Sequence, residues 1–212
     1  MSRTTAASNA LLQGIPFPEG DKTYVKILDA GLELFIEFGL RRTTMEDVAT
    51  RAGIGRATAY RRFGDKDQLI QMVILREAKR ELDGIEEELK VIEGGLNKLL
   101  ESFVLAVTRA HANPLWRRLL TSDSEMILPF FTRRIWQMMA LFRMYLAGML
   151  ERVKKEEGLG DLSTEFMAEL MLRLMQSMLL SPEGVMNPSD EKSVRQVAED
   201  CLRPLMAGQA KA

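Results

Sequence analysis

Residue types that carry chemistry are scarce in this chain of 212 residues, which has one histidine and one cysteine. There is no glycine-rich phosphate loop, no paired-carboxylate pattern and no metal-ligand spacing. The sequence therefore predicts no enzyme, no metal site and no cofactor. One thiol excludes a disulfide within a single chain, and with no basic cluster beside it Cys201 is expected to be a small buried hydrophobe and not a redox sensor.

Long apolar runs are also missing. No stretch approaches the roughly 18 residues that a membrane-spanning helix needs, and the N-terminus lacks the pattern of a secretion signal, so we expect a cytoplasmic protein with no membrane contact. Alternating runs of Val, Ile or Thr, which indicate strands, are absent as well. The sequence predicts an all-α fold.

The most informative segment is residues 43–70, TTMEDVATRAGIGRATAYRRFGDKDQLI. Thr43 followed by Glu46 is a capping-box pattern that begins a short helix, and Gly53 is placed to end it with a positive φ. Residues 55–63 then predict a second helix with a basic and aromatic outward face. Two short helices joined by a tight turn predict a helix-turn-helix, whose second helix enters the major groove of DNA.

Charge is distributed unevenly along the chain. The formal net charge is −1, yet residues 41–66 hold seven basic and three acidic side chains, a balance of +4 that leaves −5 for the remainder. A basic patch on an otherwise acidic molecule is typical of a protein that docks one face on phosphates. The alternative is a set of arginines on a solvated helix face.

This segment resembles the DNA-binding domain of the TetR family of bacterial transcriptional regulators. Residues 25–39 are similar to the family's first helix and end at Gly39, with one apolar stripe: Val25, Leu28, Leu32 and Phe35. The resemblance implies phosphate contacts by Thr44, Tyr60 and Lys66. It implies that further DNA-binding side chains lie on the second helix of the helix-turn-helix, residues 55–63: Arg56, Ala57, Thr58, Arg61 and Arg62. Gly55 and Arg62 depart from the residues usual in the family, so the resemblance does not predict the operator sequence.

The predicted organisation has three parts. Residues 1–20 form a flexible arm, residues 21–66 form the three-helix DNA-binding domain, and residues 67–212 form a helical domain for ligand binding and dimerisation. Asp65 is expected to cap a long helix, and Ser163 and Ser189 to cap the two final helices, 164–180 and 190–207.

The resemblance implies a homodimer formed by these two final helices. A stripe of apolar residues at spacings of three or four is the predicted interface: Met167, Met171, Leu174, Met175 and Met178. The alternative is that this stripe packs only within its own subunit.

The resemblance also implies a pocket for a small apolar effector in the C-terminal domain. The predicted lining is mostly aromatic and aliphatic, with His111 and Tyr145 as polar anchors: Phe103, Val107, His111, Trp116, Phe130, Phe131, Trp136, Met139, Phe142 and Tyr145. Plain core is the alternative for each aromatic residue, and a structural role is the alternative for His111.

The predicted function is that of a DNA-binding transcriptional repressor, a homodimer on an inverted-repeat operator in double-stranded DNA, released by an apolar or amphipathic small molecule. Activation is the alternative to repression, because the sign depends on where the operator lies. A dimeric regulator without an effector is a second alternative. A partner-binding adaptor is the third, although it has little use for a basic recognition helix.

Overall fold

The structure, a computed structural model, describes residues 20–121 and 136–207, and every regular element in those ranges is helical. The predicted arm precedes them, apart from Gly20. Among the described helices, none combines the length and the apolar character that a membrane span requires. In chain order the helices are α1 Lys22–Arg42, α2 Met45–Arg51, α3 Arg56–Phe63, α4 Lys66–Glu88, α5 Gly95–Ala112, α6 Pro114–Thr121, α7 Trp136–Glu157, α8 Thr164–Leu180, α9 Glu191–Val197 and α10 Arg203–Ala207.

Local chemistry accounts for several helix ends. Gly39 interrupts the helical geometry of α1 with a φ of 83°, where the sequence predicted an end. Asp65 accepts a hydrogen bond from the backbone N–H of Gln68 at 2.8 Å, as expected of a cap for α4. Asn113 caps α6 in the same way, and Pro114 occupies the first helical position, where a missing N–H costs nothing.

The capping box of α2 lies one residue later than predicted. Thr44 is the N-cap: its hydroxyl accepts from the N–H of Asp47 at 3.2 Å, and Asp47 Oδ2 accepts from the N–H of Thr44 at 2.8 Å. The predicted pair of Thr43 and Glu46 was therefore wrong. Thr43 is buried, and its hydroxyl donates to the carbonyl of Gly39 at 2.8 Å, because a buried hydroxyl needs a partner.

A second cap is also displaced by one residue. Asp190 caps α9 by accepting from the N–H of Lys192 at 3.1 Å, whereas the hydroxyl of Ser189 donates to Asn187 Oδ1 at 2.7 Å. Ser163 occupies the N-cap position of α8 as predicted, but makes no side-chain cap hydrogen bond.

The described chain divides into two compact units. Residues 20–80 and 113–121 belong to the first, and residues 81–112 and 136–207 belong to the second. The sequence placed a boundary after residue 66, whereas the division in the structure falls within α4. Helix α6 belongs with the first unit because it packs against α1.

In the first unit, α1 packs against α2 and α6, and it contacts α4 beside Gly31. A Cβ on Gly31 would lie 3.3 Å from Val73 Cγ2, so the absence of a side chain at Gly31 lets Val73 of α4 pack close to the backbone of α1. The contact also includes the buried Arg76, whose Nη1 lies 2.8 Å from Asp29 Oδ1. The face of α1 towards this core differs slightly from the predicted stripe: Leu28 and Phe35 are buried, Val25 and Leu32 are half-buried, and Ile27 and Leu34 complete the contact.

The second unit has an apolar core around α5, which packs against α7, α8 and α9. The sequence predicted one continuous last helix, 190–207, and this prediction was wrong. A π-helical turn, Ala198–Leu202, separates α9 from α10. Pro204 follows this turn, and a proline has no N–H for the helical ladder. Cys201 lies on the turn and is exposed, so the prediction of a buried thiol was wrong.

Candidate functional site

The turn between α2 and α3 is fixed by its backbone. Gly53 has a φ of 67°, where other residues are strained, and its N–H donates to the carbonyl of Thr50 at 3.1 Å. The N–H of Ile54 donates to the carbonyl of Ala49 at 3.0 Å. The predicted glycine turn is confirmed, and it sets the direction of α3 relative to α2.

Helix α3 buries one side and exposes the other. Ala59 and Phe63 are buried, and the Phe63 ring stacks on Tyr24 of α1 with 4.5 Å between ring centres. Thr58 is half-buried. The remaining predicted DNA-binding residues of the helix are exposed: Arg56, Ala57, Tyr60, Arg61 and Arg62.

One carboxylate of α2 gathers two of these exposed side chains. Arg56 Nε lies 2.7 Å from Glu46 Oε1, and the Tyr60 hydroxyl donates to the same oxygen at 3.4 Å. The guanidinium carbon of Arg56 lies 5.3 Å from the centre of the Tyr60 ring, within cation–π range. The sequence offered Glu46 only as a capping residue, because a contact across a turn leaves no periodic signal.

The two arginines at the end of α3 have different surroundings. Arg62 Nη1 lies 2.6 Å from Asp21 Oδ2, which joins the end of α3 to the N-cap of α1. Arg61 is exposed, and among the described residues no carboxylate pairs with it. Within the described ranges, Arg61 therefore presents an unneutralised charge on this surface.

The predicted phosphate-binding residues at the helix starts also make internal bonds. Lys66 Nζ donates to the carbonyls of Leu40 at 2.8 Å and Thr43 at 2.9 Å. Because an ammonium has three N–H donors, one remains for another acceptor. The exposed hydroxyl of Thr44 donates to Asp47 Oδ2 at 2.7 Å, and the hydrogen bonds from Thr44 hold the pKa of the Asp47 carboxyl below its usual value.

Two of the predicted effector-binding residues of the second unit belong to its apolar core. Phe103 and Val107 are buried in its apolar core, and Met139 and Phe142 are half-buried on α7. Tyr145 is buried, its hydroxyl donates to Glu86 Oε1, and burial raises its pKa well above the usual value.

The other predicted lining residues do not join this group. His111 is half-buried in the last turn of α5, whereas Trp116 is half-buried on α6 and belongs to the first unit. Phe130 and Phe131, together with the side chain of Trp136, lie outside the described residues. The described part of the predicted lining is thus divided between the two units.

A cleft of about 210 Å³ that the sequence did not predict lies between α5 and residues 195–203, which span the end of α9, the π-helical turn and the start of α10. Leu100 and Val104 contribute apolar surface to it. Arg195 donates to both carboxylate oxygens of Glu101, at 2.5 and 3.0 Å, and Arg203 donates to Asn97 Oδ1 at 3.0 Å. The guanidinium groups that line this cleft are therefore already partnered.

The methionine stripe of α8 packs against its own chain. Met167, Met171 and Met178 are buried in the core of the second unit, and Leu174 and Met175 are half-buried against it. The exposed apolar residue of the same helix is Phe166, with 68% of its surface accessible. Packing within the subunit was the alternative reading of this stripe.

Comparison with known proteins places the first unit in a family. Residues 27–73 match the model of bacterial regulatory proteins, tetR family. The HTH-type transcriptional regulator AlkX of Mycobacterium tuberculosis is 32% identical over 125 residues, 58% of this chain but only 59% of that protein. The uncharacterized HTH-type transcriptional regulator TtgW of Pseudomonas putida is 30% identical over 115 residues, 54% of this chain and 73% of that protein.

Similarity of fold extends over most of the chain. FadR from Bacillus subtilis, whose crystal structure contains stearoyl-CoA, has a TM-score of 0.61 and 17% identity, with 87% of this chain and 98% of that chain covered.

The turn-linked pair α2–α3 and its exposed basic side define a helix-turn-helix transcriptional regulator. The chain belongs to the TetR family of bacterial regulatory proteins.

Proposed function

We propose that the protein is a homodimeric repressor that binds an inverted-repeat operator through α3 of each subunit and leaves the DNA when an apolar or amphipathic molecule binds the C-terminal unit. The observation that carries the DNA-binding part is the exposed side of α3, where Arg56, Tyr60 and Arg61 are accessible while Ala59 and Phe63 anchor the opposite side.

The exposed residues have different roles in this proposal. Arg56 and Arg61 read base edges, since a guanidinium matches the two acceptors of guanine in the major groove. The third N–H of Lys66 contacts a phosphate, and so do the hydroxyls of Tyr60 and Thr44 once they turn from Glu46 and Asp47 to the DNA. Ala57 and Thr58 have short side chains, which let the backbone of α3 approach the groove closely.

Two copies are needed because one short helix reads only one half-site, and successive half-sites are roughly 34 to 36 Å apart. Since the methionines of α8 pack within the subunit, the proposed interface is the exposed side of α8 and α10. Phe166 on α8 and Leu205 on α10 are large, exposed apolar residues there, which supports this choice.

The effector part of the proposal is supported by the similarity to FadR, whose structure holds an acyl-CoA. Phe103 and Val107 are closely packed, so a ligand that reaches them must separate α5 from its neighbours. A ligand that binds only this opened conformation shifts the protein towards it. Repression would end if that conformation matched the operator less well.

Selection of DNA fragments from a random pool by the full-length protein tests the proposal. We expect a half-site repeated in inverted orientation and a complex with two subunits per operator by sedimentation. Recovery of fragments without a consensus would contradict DNA-sequence reading and favour the adaptor alternative.

Titration with stearoyl-CoA tests the effector. Release of the operator, together with a rise in melting temperature of the free protein, is expected if the ligand binds the folded C-terminal unit. Unchanged operator affinity and melting temperature with this and other long-chain amphiphiles favour a regulator without an effector.

A further inference from the structure

We propose that Glu46 is a positioning residue that orients Arg56 towards one guanine of each half-site. This inference rests on the proposed function, and it adds a residue that has no predicted contact with DNA. The observation behind it is the convergence of two exposed α3 side chains on one oxygen of a neighbouring helix.

The geometry of the cluster favours a defined arginine orientation. Glu46 lies in the first turn of α2, between the two residues of the Thr44–Asp47 capping box, so its backbone is fixed. Its Oε1 contacts Arg56 through Nε at 2.7 Å, and the Tyr60 ring lies beneath the guanidinium at 5.3 Å. A carboxylate on one side and an aromatic ring on another restrict a side chain that otherwise has many rotamers.

The atoms in this contact matter for base reading. An ion pair through Nε places Glu46 near the stem of the guanidinium, and the terminal pair Nη1 and Nη2 has the spacing that matches O6 and N7 of guanine. Fixing the plane of Arg56 before binding reduces the ordering cost that binding must otherwise meet.

The charge of Glu46 adds discrimination. In the free protein the pair is exposed and screened by water, so it contributes little stability. When DNA excludes water, the interaction strengthens. Because Arg56 can use Nη1 and Nη2 on a base edge while Nε stays paired with Glu46, the pair favours the base edge over a backbone contact.

A structural role is the competing explanation. An acidic residue in the first turn of a helix interacts favourably with the helix dipole, and its loss would then weaken binding to every DNA sequence alike. The two explanations predict different results in one measurement: whether the loss of DNA affinity depends on a single base pair.

The test uses Glu46→Gln with Glu33→Gln as the matched control. Glu33 is also exposed and lies in the same unit, but it pairs with Arg51, which keeps a second partner in Glu37. Affinities are measured for the selected operator, for variants with one guanine replaced, and for a scrambled duplex. Arg56→Ala and the double variant complete the cycle.

We expect Glu46→Gln to lose about tenfold of the discrimination at the same base pair that Arg56→Ala affects. Affinity for the scrambled duplex should stay equal or rise slightly, and the double variant should discriminate no worse than Arg56→Ala. Equal losses on all duplexes, additive losses in the double variant, or the same relaxation in Glu33→Gln would each overturn the proposal.

A measurement without DNA separates this inference from the proposed function. The order parameter of the Arg56 Nε–H, from ¹⁵N relaxation, should fall in Glu46→Gln and stay unchanged in Glu33→Gln. An unchanged value in Glu46→Gln would overturn the positioning role, whereas a wild-type protein that selects no consensus would overturn the function on which it rests.

Discussion

Helices α3 and α5 have opposite roles in the chain. Helix α3 has eight residues, of which only Ala59 and Phe63 are buried, and its orientation is set by α1 and α2. Helix α5 has eighteen residues and buries seven of them at the centre of the second unit. The exposed side of α3 therefore contributes little to the free energy of unfolding. The buried face of α5 contributes to it directly, because it forms the centre of the core.

The means of support differ as well. Around α2 and α3, polar contacts hold short helices in place: Arg51 reaches Glu33 and Glu37 at 3.1 Å each, and Arg62 reaches Asp21. The second unit relies on apolar packing around α5. Exposed ion pairs contribute little individually, so we expect substitutions at these polar contacts to cost less than substitutions in the core of the second unit.

The largest effect is expected from Met171→Glu. Met171 is 2% exposed, so the variant places an unpaired charge in the core and should lower the free energy of unfolding by about 3 to 5 kcal/mol. Denaturant titration measures the loss. Phe166→Glu on the exposed side of the same helix is the control, and it should remain folded but sediment as a monomer. A folded, monomeric Met171→Glu would return the interface to the methionine stripe.

The next effect is expected from Val107→Trp. Val107 is fully buried in α5, and the larger ring should overpack the core and lower the free energy of unfolding by about 3 kcal/mol. Val91→Trp is the control, since Val91 is 84% exposed in the turn after α4. Equal stability of the two variants would show that α5 has room beside Val107, which favours a pocket there.

A smaller effect is expected from Lys66→Ala in the first unit. Its loss leaves the carbonyls of Leu40 and Thr43 without their donor, and should lower the free energy of unfolding by about 1 to 2 kcal/mol. If Lys66 also contacts phosphate, the salt dependence of DNA affinity falls by about one unit per subunit. Lys26→Ala, on the exposed side of α1, is the control. A stability equal to that of the control would assign Lys66 to DNA alone.

The smallest effect on stability is expected from Arg56→Ala. Its side chain is 67% exposed, so the free energy of unfolding should change by less than about 0.5 kcal/mol. Discrimination of one guanine should nevertheless fall by about 1 to 3 kcal/mol, measured with matched duplexes. Retention of the same consensus with the same stringency would leave Arg56 with a backbone role only.

The sequence predicted the helix-turn-helix closely because its signals are local. The turn at Gly53 and the end of regular helical geometry at Gly39 follow from the conformational limits of single residues. Caps were less accurate: adjacent candidates such as Thr43 and Thr44 differ only in which hydroxyl becomes buried.

Contacts between helices were beyond the sequence. The carbonyl bonds of Lys66, the pairing of Arg62 with Asp21 and the contact of Arg56 with Glu46 join residues that no periodic pattern relates. The apolar spacing of α8 was recognised, but spacing is the same for a core, a pocket and an interface.

The sequence by itself determined that the chain is helical, where the turn of the helix-turn-helix falls, and that one short helix carries a basic and aromatic side. Tertiary structure alone decided which apolar stripes are buried within the subunit and which charged residues are paired. The physical reason is that backbone conformation depends on near neighbours in the chain, whereas burial and ion pairing depend on which helices pack together.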